Sequence, residues 1–138
     1  MLRLLTTQNK SERIVQTLNH YTYTTNQVKR MAPFQTEEEF QEHVEKWLHT
    51  NKRKFTNSEL VGLNQLIRAT IYPGVTYTTI PNLLKGIQSS IESRGISSKT
   101  FLRMLMKAKE VGLLKVYPRV SVDGLIPCNL YIFQPFSG

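Results

Sequence analysis

At Gly112 the hydrophobic pattern of this 138-residue chain changes period. Ahead of it, ISSKTFLRMLMKAKEV repeats apolar residues at helical spacing. Phe101, Leu105 and Ala108 form one stripe, with Met104 and Val111 at its edges. Ser97 stands where an N-cap hydroxyl accepts from the free N–H groups of a first turn, and Gly112 where a left-handed residue ends a helix. Beyond Gly112 the runs Leu114–Val120 and Ile126–Phe133 are β-rich, joined by Ser121–Val122–Asp123–Gly124–Leu125. Asp-Gly between two such runs is a strong hairpin signal. Pro118 and Pro127 cannot donate to a ladder, so what remains is an edge hairpin of two strands. One switch from period 3.6 to strand-like runs, near the C-terminal end, predicts a chain that is mainly α with a small β-hairpin.

Three more helices precede that switch. In TEEEFQEHVEKWLHT, Thr36 and Glu39 form a capping box, each side chain satisfying the other's backbone N–H. Glu37, Glu38 and Glu39 suit the positive end of the helix dipole, so this acidic run is helix chemistry and carries no catalytic role. Phe40, Val44, Trp47 and Leu48 supply its apolar face and are expected to pack it on the rest of the fold. Thr56 and Glu59 open a second helix the same way, with Leu60, Leu63, Leu66 and Ile67 in its stripe and Pro73–Gly74 as the stop. The connection between these two helices, Asn51–Lys52–Arg53–Lys54, is tight and basic. A third helix, TIPNLLKGIQSSIES, has Pro81 in its first turn and Leu83, Leu84, Ile87 and Ile91 as apolar positions. Gly86 inside it marks close helix packing, and Gly95 closes it. Upstream, Met1–Pro33 is polar and basic, read as a short helix around Ser11–Leu18 followed by irregular chain. The division expected is a basic N-terminal arm or extension at 1–35 and a domain at 36–138.

Charge narrows the function. Eighteen Lys and Arg against ten Asp and Glu leave +8, a field that favours a polyanionic partner. The distribution is uneven: one basic against five acidic residues over Thr36–Thr50, but eight against three from Thr76 to the end. A single cysteine, Cys128, excludes an internal disulfide and any multi-cysteine zinc site, and its apolar surroundings predict a buried, inert thiol. His20, His43 and His49 fit no metal-ligand spacing, and no phosphate-binding glycine loop or nucleophile elbow occurs, so neither an enzyme, a metal, a cofactor nor a small-molecule ligand is expected. The N-terminus lacks the apolar stretch of a signal peptide, and no run is long enough to span a membrane, which points to a cytoplasmic protein.

The predicted order is helix (Asn57–Thr70), helix (Ile80–Ser93), glycine turn (Arg94–Gly95), helix (Ser98–Val111) and hairpin (Leu114–Phe133). At the turn stands GISSKTFLRMLMKAKEVGLLKV. This segment resembles the recognition-helix-to-wing segment of bacterial winged-helix proteins: a G-I-S start, a Ser cap, a polar first turn, an Arg near the middle, and E-x-G-L-L leading into the first wing strand. The resemblance covers the C-terminal half, about Thr76 to Pro135. It implies a winged helix-turn-helix with an N-terminal helical extension, its wing at about 114–133. The pattern occurs in transcription regulators and in plasmid or phage replication initiators alike.

Such a helix must bury one side and offer short polar and basic residues to a major groove. With Phe101, Leu105 and Ala108 inward, Ser98, Lys99, Thr100, Leu102, Arg103 and Lys107 face outward as candidate DNA contacts. Arg103 alone has the bidentate fork that matches guanine. Leu102 and Met106 fit a groove-facing surface poorly and are expected to meet the N-terminal segment or a partner subunit, although Leu102 also suits a thymine methyl. Lys115, Arg119 and Ser121 are the wing's candidates for the phosphate backbone, and Tyr131 is expected in the core. None of Lys99, Arg103, Lys115 and Arg119 is expected to hold the core, so folding should survive loss of each. The function expected is sequence-specific binding of double-stranded DNA, with a homodimer through Met1–Pro33, the Thr36–Thr50 helix or both favoured because one recognition helix reads only a few base pairs. The alternative is a winged-helix docking module for another protein. The chain stops almost at the last strand, FQPFSG, as the N-terminal domain of a longer protein would.

Overall fold

The computed structural model describes residues 25–88, 95–118 and 128–137. The expected helix at 11–18, the residues Arg119 and Ser121, and the Asp123–Gly124 turn lie outside them. The described chain runs α1 (Thr25–Arg30), α2 (Glu37–Asn51), a 3-10 turn (Lys52–Lys54), α3 (Asn57–Arg68), β1 (Val75–Thr78), α4 (Ile80–Gln88), α5 (Ser98–Val111), β2 (Leu114–Tyr117) and β3 (Asn129–Phe133). It is mostly helical with a small antiparallel sheet, and no helix among the described residues is long and apolar enough to cross a membrane.

The caps form where the hydroxyls stand. Thr36 Oγ1 accepts from Glu39 N at 3.0 Å, and Glu39 Oε1 reaches back to Gln35 N rather than to the cap residue itself. Thr56 and Glu59 complete the reciprocal box. Ser97 Oγ accepts from Thr100 N at 3.1 Å, and Gly112 closes α5 at φ +89°. Gly86 lets α4 lie against α3, since a side-chain carbon there would run into Gln65.

Two features correct the sequence-based expectation. The hairpin is part of a three-stranded sheet in the order β1-β3-β2, so β3 is its centre and not an edge. Val75 pairs with Ile132 on one side of β3, and Leu114 with Phe133 on the other. The signal for β1 was present in Val75–Thr78, two β-branched threonines with a valine and a tyrosine, but four residues are too few for a period to register. The stretch expected to be irregular before Pro33 contains α1, whose Val28 is buried.

Central placement of β3 gives it two buried faces. Tyr131 and Phe133 join Phe40, Trp47, Leu63, Leu66, Phe101, Met104 and Leu105 in the main core. Leu130, with Val75, meets Val28 on the other face. Tyr131 is thus a core residue, as its strand position implied. Helix α2 packs as its stripe predicted: Phe40 meets Phe133 edge-on at 5.1 Å, and Trp47 Nε1 donates to Gln134 O at 2.7 Å. His43 Nδ1 accepts from Phe136 N at 2.8 Å, so α2 also fastens the chain beyond β3. Buried Thr76 donates its hydroxyl to Leu66 O at 2.8 Å, tying β1 to the end of α3. Cys128 is half-buried rather than buried, and burial pushes its thiol pKa up against a hydrogen bond with Tyr77, which disfavours the reactive thiolate.

The turn into β1 depends on Gly74, at φ +86°, where a Cβ would stand 2.6 Å from the buried ring of Phe34. Gly74→Ala adds left-handed strain and overpacking together, and should cost about 2–4 kcal/mol. A denaturant titration showing a loss under about 1 kcal/mol would mean that the Phe34 ring yields freely.

Candidate nucleic-acid interface

Helix α5 buries Phe101, Met104, Leu105 and Ala108 and leaves the opposite side outward. Ser98, Lys99, Leu102 and Arg103 are exposed there, with Thr100 and Lys107 partly covered. All six expected helix contacts therefore share one surface. One is tied down locally: Thr100 Oγ1 takes a hydrogen bond from Ser97 Oγ at 3.0 Å, which commits part of that hydroxyl to the cap. The apolar pair Leu102 and Met106 is 50% and 58% exposed and meets no N-terminal segment among the described residues.

The geometry of the surface is set by a residue the sequence marked only as a cap. The side chain of Glu59 has no solvent exposure. Its Oε1 accepts from Thr56 N at 2.9 Å and from Lys107 Nζ at 2.6 Å, and its Oε2 from Arg103 Nε at 3.2 Å. One carboxylate thus closes the first turn of α3 and holds two cations one turn apart on α5. Burial pushes its pKa up, but hydrogen bonds from Lys107, the Thr56 N–H and Arg103, with the Lys107 charge, outweigh it and lower the pKa to about 2.

This gives folding a stake in Arg103 that the sequence did not show. The cause is electrostatic: removing one partner of a covered carboxylate leaves charge and lone pairs short of donors. The Arg103 side chain is nonetheless 52% exposed. Its Nε donates inward, while the two terminal nitrogens are unoccupied by any hydrogen bond among the described residues. The arrangement presents a braced fork with a net positive charge behind it, since two cations face one carboxylate. The i, i+4 spacing of Arg103 and Lys107 was legible in the sequence, but the distant acid that joins them was not.

Lys115 stands apart. It pairs with Ile132 in register, on the sheet face that Val28 covers, whereas Leu114 and Val116 point to the helical core. The structure does not bring it into the α5 surface. Both ion pairs between described residues end on Glu59, and no group of three His, Cys, Asp or Glu that could hold a metal occurs among them.

Compared with protein-family models, curated proteins and solved structures, the chain matches none.

The Glu59 carboxyl makes stability depend on acid. Its folded pKa lies below the ordinary 4.5, so the stabilisation is complete above about pH 4.5 and is lost as pH falls towards 2. Because Arg103 and Lys107 are themselves partly solvated, water screens the site, and about 1–2 kcal/mol is expected rather than the full value of the shift. Denaturant melts from pH 6 to pH 2 should show that decline for the parent and a shallower one for Glu59→Gln. Parallel curves for the two proteins would remove the carboxyl as the cause.

Proposed function

We propose that this protein binds double-stranded DNA sequence-specifically as a winged helix-turn-helix, with α5 as the recognition helix in the major groove. The observation that carries the proposal is the outward face of α5: Lys99 and Arg103 displayed beside Ser98 and Leu102, with Arg103 held by Glu59 through Nε while its terminal nitrogens make no hydrogen bond among the described residues. A side chain immobilised before binding loses less entropy on contact, and an arginine fork suits the paired acceptors of guanine. The order α3, β1, α4, α5, β2, β3 supports the same function, with β2 and β3 as the strands of the wing at about 114–133. Arg119 and Ser121, which fall in the sequence between β2 and β3, are proposed to meet the backbone. The role is one of binding without a catalytic step, in a cytoplasmic regulator of transcription or a replication initiator of plasmid or phage type.

A protein-docking module is the second reading, favoured by the exposed pair Leu102 and Met106 on the same face. Ionic strength separates the two, since a phosphate-dominated contact weakens steeply with salt and an apolar one does not. A homodimer on two half-sites, joined through residues 1–33, helix α2 or both, is the assembly proposed. Sedimentation on the selected duplex should give two chains per site; one chain per site would exclude the dimer.

The decisive substitution is Arg103→Lys, which keeps a cation beside Glu59 and discards the fork. On the duplex selected from a random pool it should cost about 1–3 kcal/mol, with little change on random sequence. Equal affinity of variant and parent for the selected duplex, with both folded, would reassign α5 as a packing helix.

A further inference from the structure

We propose that the turn Lys52–Arg53–Lys54 is a second, sequence-independent contact with the phosphate backbone of the same duplex, continuous with the basic face of α5. It rests on the reading of α5 as the DNA-facing helix, and deepens it by adding a surface outside helix and wing.

Three consecutive cations are exposed here on a fixed scaffold. Lys52 N donates to Leu48 O as the cap of α2, and Phe55 N donates to Lys52 O at 3.1 Å. Phe55 is buried immediately after the turn, and buried Asn51 donates to Trp47 O at 3.0 Å immediately before it. Among the described residues none of the three cations has an acidic partner, because both ion pairs belong to Glu59. The acids of α2 end at Glu45, about 10 Å along the helix axis from Lys52 at 1.5 Å per residue. Adjacent like charges held in an ordered turn repel one another, and the acid nearest along the chain, Glu59, is engaged by Arg103 and Lys107.

Placement supplies the rest. The N–H of Thr56 and the ammonium of Lys107 reach the same oxygen of Glu59, at 2.9 and 2.6 Å. Lys54 is two residues before Thr56, a span of at most about 7 Å. Lys54 therefore stands close along the chain to the Glu59 carboxylate that Lys107 and Arg103 share. A helix seated in a groove about 12 Å wide has phosphates along both walls, so the element flanking its basic side meets the backbone and not the bases. Strand phosphates recur about every 3.4 Å of axis, dense enough to engage more than one of three neighbouring cations.

The test uses the full chain carrying Lys52→Gln, Arg53→Gln and Lys54→Gln together, titrated with the selected duplex and a random duplex over a range of salt. The thermal midpoint should match the parent's. Affinity should fall at least about tenfold at 0.1 M salt by the same factor on both duplexes, and the log–log salt slope should become shallower by about two units or more. The single variants Lys52→Gln and Lys54→Gln, each expected to lower the slope by about one unit, serve where the triple variant is less stable. Parent-like affinity and slope in a variant whose Arg103→Lys counterpart still loses preference would overturn the turn and leave the helix standing. A loss confined to the selected duplex would also overturn it, as the turn would then read bases. A parent that binds neither duplex would remove both proposals.

Discussion

A carboxylate with no solvent exposure must find donors for its lone pairs and a charge to balance its own. Glu59 finds both by joining two helices. Thr56 supplies the backbone N–H that makes the start of α3 a capping box, while Lys107 and Arg103 come from α5, more than forty positions later. The consequence is geometric. Beyond the apolar packing of α3 on α5, which fixes separation, the ion pairs fix rotation, because only one face of α5 can satisfy Glu59 while Phe101, Met104 and Leu105 remain inside. The outward display of Lys99, Leu102 and Met106 follows from that choice.

The same constraint divides the labour of the cations. Arg103 and Lys107 spend part of their charge on an internal acid, whereas Lys99 and the cations of the 52–54 turn have no acidic partner among the described residues. A surface built this way combines rigid donors, suited to selecting one arrangement of acceptors, with solvated cations suited to any phosphate. The sheet plays a separate part. Through β3, buried on both faces, it joins the core under α2, α3 and α5 to the smaller cluster around Val28, and it carries the β2–β3 pair out from the end of α5.

Much of this was legible before any coordinates. The cap hydroxyls at Thr36, Thr56 and Ser97, the stripes of α2, α3 and α5, and the antiparallel pairing of Leu114–Tyr117 with Asn129–Phe133 are local or periodic signals, and each reports the backbone state directly. Strand β1 and helix α1 were not read, because four and six residues hold too little period to stand out from a polar, threonine-rich stretch. The basic outward face of α5 was readable as a set of six residues. That Lys115 lies on the other side of the sheet was not, since strand parity means nothing until it is known which face is covered.

By itself, then, the sequence determined where the capped helices begin, which of their faces are apolar, and that the net positive charge is larger over the C-terminal half, because caps, periods and net charge are properties of neighbours along the chain. Only the tertiary structure decided that β3 is the central strand, that Glu59 meets Arg103 and Lys107, and that Trp47 meets the chain beyond β3. Those are contacts between residues distant in sequence, selected jointly by packing volume and by the need to satisfy a covered charge, and no local pattern encodes such a joint condition.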